Sequence, residues 1–344
     1  MYERISSQEI GGINLIIIPL ILIPIISFLL GILFSYEIRK IFARAQFRLG
    51  PLTSMYSELK PLLGTSRLIQ PLYDILKLLY KESIIPKSAN KTLFKISPWI
   101  SFLLIFIASY FISYGGFTLL GNFELNIIFL IYLIVGVTLF WLIGAVASGS
   151  PWSEVGVRRE AELMFTVEVT LVSSIFSIAI LSNSLSIQKI VNHQLNSIPY
   201  IILNPIAAIA FIIGLLGKLH LKPFDIPDAE VEIVAGPFTE YSGKYLALLY
   251  TSKYFLTSIL IGLFVDLFLA GGQILPPINP VNKIINFITF IILCLIMTFI
   301  ISIINALAPR FRIDQAFKWM ITRVWPISVL SIILSLIFVY IGVI

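Results

Sequence analysis

One cysteine and two histidines in 344 residues leave little with which to hold a metal or a redox centre. Cys294 alone can neither ligate an iron–sulfur cluster nor close an internal disulfide. His193 and His220 are expected on opposite faces of a membrane. Glycine-rich phosphate loops are missing too, since neither GxGxxG nor GxxxxGK[ST] occurs. Any electron transfer or nucleotide chemistry must therefore belong to a partner. Charge is also scarce, at 12% of residues against 58% apolar. Such a chain has no room for a soluble domain.

What is present is hydrocarbon. Eight apolar stretches of roughly 20 residues, the length that crosses about 30 Å of bilayer core, predict an all-α polytopic membrane protein. The expected spans are 13–35, 99–118, 126–148, 163–185, 200–221, 245–270, 284–307 and 324–344, all within a single membrane domain, 1–344. The acidic start, with Glu3 and Glu9, is unlike a cleaved signal, so the first span is expected to be retained. Of the 24 lysines and arginines, 20 fall in the segments after the odd-numbered spans, while Arg4, Lys189 and Lys283 fall on the other side and Lys253 within span six. This asymmetry predicts a cell-membrane protein with the basic loops in the cytoplasm and both termini outside. The net charge of +6 is thus a topology signal and not a nucleic-acid footprint.

Three regions break the apolar monotony. Segment 218–244, KLHLKPFDIPDAEVEIVAGPFTEYSGK, places Asp225, Asp228, Glu230, Glu232 and Glu240 among three lysines, a histidine and three prolines. An island of that charge density lies in water or lines a hydrated cavity. In span four, Glu160, Glu162 and Glu168 follow Arg158 and Arg159 into the membrane, with Glu168 about 12 Å beyond Glu160 at helical rise. A carboxylate at that depth costs roughly 2.5–3.5 kcal/mol on insertion scales, and such acids by default mark ion or proton routes. Lys253 and Asp266 in span six are expected toward its two ends, where they can snorkel. Within the cytoplasmic segment 36–98, Leu68, Ile69, Leu72, Ile75, Leu76 and Leu79 form one stripe of an amphipathic helix suited to a membrane surface or a docked partner.

These residues also carry a resemblance. RAQFRLGP at 44–51, QPLYDILKLLYKE at 70–82, Arg159 nine residues before Glu168, PFDIPDAEVEIVAGPFTEYSG at 223–243 and PRFRIDQ at 309–315 resemble, in order and spacing, NADH dehydrogenase subunit one of complex I. They also resemble its relatives in energy-converting membrane-bound hydrogenases and related archaeal complexes. The resemblance implies an eight-helix subunit between a soluble redox arm and antiporter-like membrane subunits, non-catalytic in itself, coupling electron transfer to proton or sodium translocation. It implies an ion pathway through Glu160, Glu162, Glu168, Asp225, Asp228, Glu230, Glu232 and Glu240. It places Arg44, Arg48, Asp74, Arg159, Arg312 and Asp314 at the interface with the redox arm. Nickel–iron centres, iron–sulfur centres or a quinone are expected only with partner subunits. The quinone-binding members carry a glutamate and an arginine just before PFD, where this chain has KLHLK, and asparagine and arginine after RLGP, where it has Leu52 and Thr53. These departures favour the hydrogenase-type branch, with the quinone-chamber subunit as the alternative. A passive anchor would explain the basic face but not Glu168, and a secondary transporter would be expected to show an internal repeat. The topology is testable: cysteines placed at Lys222 and Lys318 should react with an impermeant label from the cytoplasmic side, and one at Lys189 only from outside.

Overall fold

The computed structural model describes residues 2–48, 50–51, 67–121, 123–276 and 280–342, with side chains from Pro19 onward except those of Arg67, Glu230, Val231 and Pro280. The regular secondary structure of the described residues is helical, apart from one isolated bridge between Tyr114 and Phe117. Helix α1 covers Tyr2–Ala45, α2 Gln70–Tyr80, α3 Lys91–Ala108, α4 Asn126–Ala147 and α5 Pro151–Leu181. Then come α6 Ile187–Leu195, α7 Tyr200–Leu203, α8 Pro205–Lys218 and α9 Glu230–Ile233. Helices α10 Gly243–Phe268, α11 Pro280–Leu307, α12 Ile313–Trp319 and α13 Trp325–Ile341 complete the chain, α12 and α13 being joined by a π-helical turn.

Seven of these segments are long and apolar enough to cross a membrane, counting Ile313–Ile341 as one. The eighth apolar stretch is broken. Pro205 has no amide hydrogen to continue a helix, so the chain restarts there: Asn204 Oδ1 accepts from the Ala207 amide at 3.0 Å, and its Nδ2 donates to Ser331 O and Ser335 Oγ, both at 2.9 Å. The resulting α8 has 14 residues, about 21 Å of rise, short of a full bilayer core.

Two other spans begin earlier than their apolar stretches. Asn90 caps α3 and Pro151 starts α5, so both helices continue through polar first turns that hydropathy does not register. Arg158, Arg159, Glu160 and Glu162 therefore stand on the same rigid helix as Glu168.

Helix α10 is the axis of the bundle. Within its apolar window 78% is buried, against 22% for Ile313–Ile341, and it packs against α1, α2, α3 and α11. A second group, α5 with α8 and α13, packs beside it. One end of the bundle gathers the charged segments. Lys222 Nζ lies 4.8 Å from the Phe42 ring centroid at the end of α1, the Phe311 amide donates to Pro223 O at 3.1 Å, and the Tyr241 hydroxyl donates to Phe94 O at 3.3 Å. Gly156 on α5 makes a close seat for the loop backbone, since a β-carbon there would stand 2.7 Å from the carbonyl carbon of Gly236. Gly236 itself has φ +53° and leaves no room beside Pro227 O.

Helix α2 docks on the bundle and is not free. Leu72, Ile75 and Leu78 pack on Ile32 of α1 and on Ala247 and Tyr254 of α10, while Leu68 and Leu79 remain exposed. The expected stripe is thus rotated: Leu78 replaces Leu79 on the packed side, because the helix settles on two neighbours instead of one flat surface.

Candidate functional site

The acids of α5 and of the loop 219–242 meet basic groups that no stretch of sequence places beside them. Lys218 at the end of α8 has only 2% of its side chain exposed and forms an ion pair with Glu168 Oε1. Its ammonium also donates to Thr138 Oγ1 on α4 at 3.1 Å. Two residues on, His220 sits between two acids. Its Nδ1 lies 3.2 Å from Asp228 Oδ2, and its Nε2 lies 2.8 Å from Glu160 Oε2. The latter is a close charge contact and not a well-directed hydrogen bond, for Glu160 Oε2 has no hydrogen-bond partner. Asp228 Oδ2 in turn accepts from Lys253 Nζ of α10 at 2.7 Å. At the loop's outer edge Arg310 reaches Asp225 at 2.5 Å, and Arg159 reaches Glu232 at 2.5 Å.

Signs therefore alternate. Glu160, His220, Asp228 and Lys253 form one connected row from α5 across the loop to α10, with Lys218–Glu168 deeper along α5 and Asp225–Arg310 at the rim. The electrostatics of the loop follow from this arrangement. Burial alone would lower the pKa of His220, yet Glu160 and Asp228 outweigh it and push it up to about 9. Burial likewise works to raise Asp228, but Lys253 and His220 hold it well below the usual carboxylate range. For Asp225 burial wins, raising its pKa although Arg310 opposes. The Arg159 hydrogen bond lowers that of Glu232.

The expected site residues are sorted by the structure. Asp228 and Glu232 each face their own cation, Lys253 with His220 for the first and Arg159 for the second; the side chain of Glu230 lies outside the described residues. Glu162 is exposed on another face of α5, and Glu240 is half-buried, with no ion pair for either among the described residues. Asp74 and Arg159 are engaged within the chain, Asp74 by Arg39 at 2.8 Å. Arg44, Arg48, Arg312 and Asp314 stand exposed at the charged end. Neither charge of span six snorkels: Lys253 is held by Asp228, and Asp266 is wholly buried. The basic half of the row was missed in the sequence. Lys218 and His220 stood out as departures from a pattern, and the signal that could have identified their role was the period of two in KLHLK, alternating charged and apolar next to an acidic helix.

The fold and this row define a polytopic helical membrane protein that holds a row of charges inside its own interior. Residues 16–336 match the NADH dehydrogenase family. The chain belongs to that family. It is 30% identical over 341 residues to a subunit of the NADH-quinone oxidoreductase of Bacillus cytotoxicus, covering 97% of this chain and 98% of the relative. The counterpart from Neorickettsia sennetsu is 30% identical over 327 residues, 91% of this chain and 94% of that one. Among solved structures, a chain of the membrane-bound sulfane sulfur reductase, an archaeal respiratory membrane complex, superimposes with TM-score 0.81 at 25% identity, covering 93% of this chain and 99% of that chain.

Two measurements probe the row. Lys218→Met leaves Glu168 without its counter-ion and should lower stability by about 3–5 kcal/mol, as removal of one partner from a buried pair does. The double variant Lys218→Met/Glu168→Gln should recover much of that loss in thermal unfolding of the detergent-solubilised complex; a double variant no more stable than the single would deny the pairing. The second concerns pH. His220 has a folded pKa near 9 against an ordinary 6.5, so its contribution, on the order of 3 kcal/mol, is fully present below pH 6.5 and is lost as pH rises through 9. Melting curves between pH 6 and 10 should therefore converge for wild type and His220→Gln at the alkaline end and diverge at the acid end.

Proposed function

We propose that this chain is the membrane subunit of an energy-converting redox complex, holding soluble redox-arm subunits at its charged end and passing charge toward antiporter-like membrane subunits. The alternating row carries this reading. Each member is stabilised by the next, so a change in one is felt by its neighbours: unit charges 6 Å apart at an effective dielectric of about 20 interact by roughly 3 kcal/mol. That is about two pKa units, enough to move a proton on or off a poised group.

Electron transfer in an adjoining subunit would alter the charge at the rim, where Asp225–Arg310 and Arg159–Glu232 stand half in solvent. His220, Asp228 and Lys253 would readjust, and Glu160 and Glu168 would pass the change along α5. This chain couples and does not itself catalyse; nickel–iron centres, iron–sulfur centres or a quinone would sit with its partners. Exposed Arg44, Arg48, Arg312 and Asp314 supply charged contacts for the redox arm, and the excess of basic residues at that end orients it toward the cytoplasm.

Within the family, the KLHLK departure and the likeness to a chain of the sulfane sulfur reductase, an archaeal respiratory membrane complex, support the hydrogenase-type branch. The second reading, a quinone-chamber subunit, is supported by the likeness to subunits of bacterial NADH-quinone oxidoreductases.

Reconstitution of the whole complex into vesicles tests the coupling role. Glu168→Gln keeps an acceptor for Lys218 while removing the charge. It should leave the subunit composition and the soluble arm's reduction of an artificial acceptor near wild type, and lower ion translocation at least tenfold. An assembled Glu168→Gln complex that pumps normally would make Glu168 a structural residue.

A further inference from the structure

Asp266 takes no part in the row, which ends at Lys253 thirteen residues earlier on the same helix, about 20 Å away at helical rise. It is wholly buried. Its Oδ2 accepts from the Ser113 amide at 2.8 Å, while Oδ1 has no partner. Among the described residues no lysine, arginine or histidine reaches it; Gly271 packs beside its Oδ1, and Gln194 Nε2 donates to its backbone carbonyl at 3.1 Å. Gly271, at φ +60°, keeps the space beside Oδ1 clear, since a β-carbon there would stand 2.9 Å from that oxygen. A buried intramembrane acid with one oxygen left unpartnered marks an ion or proton route.

A second set of groups leads to it. The hydroxyl of Tyr114, also wholly buried and without a well-directed hydrogen bond, faces the hydroxyls of Ser27 and Ser258, and Tyr114 directly follows Ser113, whose amide holds Asp266. Ser27 Oγ and Ser258 Oγ are 3.4 Å apart. Ser258 stands just over one turn beyond Lys253 on α10, and Thr257 Oγ1 between them donates to Lys253 O at 2.8 Å. On the far side, Ser113 Oγ is 3.4 Å from Gln188 Oε1, and Gln188 Nε2 is 3.3 Å from Asn192 Oδ1 at the exposed surface.

Hydroxyls both donate and accept, so each can receive a proton on one side while giving one up on the other. We propose that Asp266 is a second proton-exchanging station of this chain, reached from the Asp228–Lys253 end through the hydroxyls of Ser258, Ser27 and Tyr114 and discharging toward the opposite end of the bundle, where the Ser113 hydroxyl stands. The proton bound at Oδ1 is the one later released, so no other reactant is required. The inference rests on the charge-coupling role proposed above and adds a route across this subunit itself.

The test uses the whole complex in vesicles, with ions moved per electron as the readout, together with infrared spectroscopy of the resting complex in H2O and D2O. Asp266→Asn keeps an acceptor for the Ser113 amide, and Tyr114→Phe removes one hydroxyl at constant shape. The ratio should fall at least twofold in each, and a carboxyl C=O band absent from Asp266→Asn should shift on transfer to D2O. Assembled variants with an unchanged ratio, or a band that does not exchange, would overturn the proposal. Should Asp266→Asn fail to assemble, Tyr114→Phe decides by the same ratio. If the wild-type complex moves no ions at all, the charge-coupling role falls, and the exchange measurement still decides whether a proton reaches Asp266.

Discussion

A charge withdrawn from water is costly unless an opposite charge stands close by, and the charged end of this protein is built around that constraint. Lys218 and Glu168 come from different helices and are both largely withdrawn from solvent, so neither could be placed there without the other. Their pairing fixes how far α8 advances along α5. The break at Asn204 and Pro205 then becomes intelligible: a helix that must end at Lys218 is shortened at its other end, and Asn204 holds the cut through Ser331 and Ser335 of α13.

The same requirement binds the loop 219–242 to the bundle. His220 and Asp228 join Glu160 on α5 to Lys253 on α10, so the loop acts as a bridge between the two helix groups and not as a tether. Glycine makes the bridge possible at Gly156 and Gly236, where backbones approach too closely for a side chain. A loop held by charge can be disturbed by charge, which connects the packing of this end of the molecule to a coupling role beside a redox partner.

Much of the fold was legible beforehand. Length and hydropathy gave the membrane helices, and the five acids of the loop together with Glu160 and Glu168 stood out against an apolar background. The starts of α3 and α5 were misplaced, because a hydropathy window stops at the first charged turn whereas a helix capped by Asn90 or begun by Pro151 does not. The acids were identified as a group, yet Glu162 on α5 faces away from the row, since two residues along a helix turn a side chain by about 200°.

Composition and periodicity, then, determined that this chain crosses a membrane and which acids stand apart in it, because any charge in an apolar sequence is conspicuous. Which cation answers which acid was decided by tertiary structure alone. Lys218 and Glu168 are 50 residues apart, Asp228 and Lys253 25, Asp225 and Arg310 85. Electrostatic pairing depends on distance in space, and only the packing of α5, α8 and α10 brings those separations down to contact.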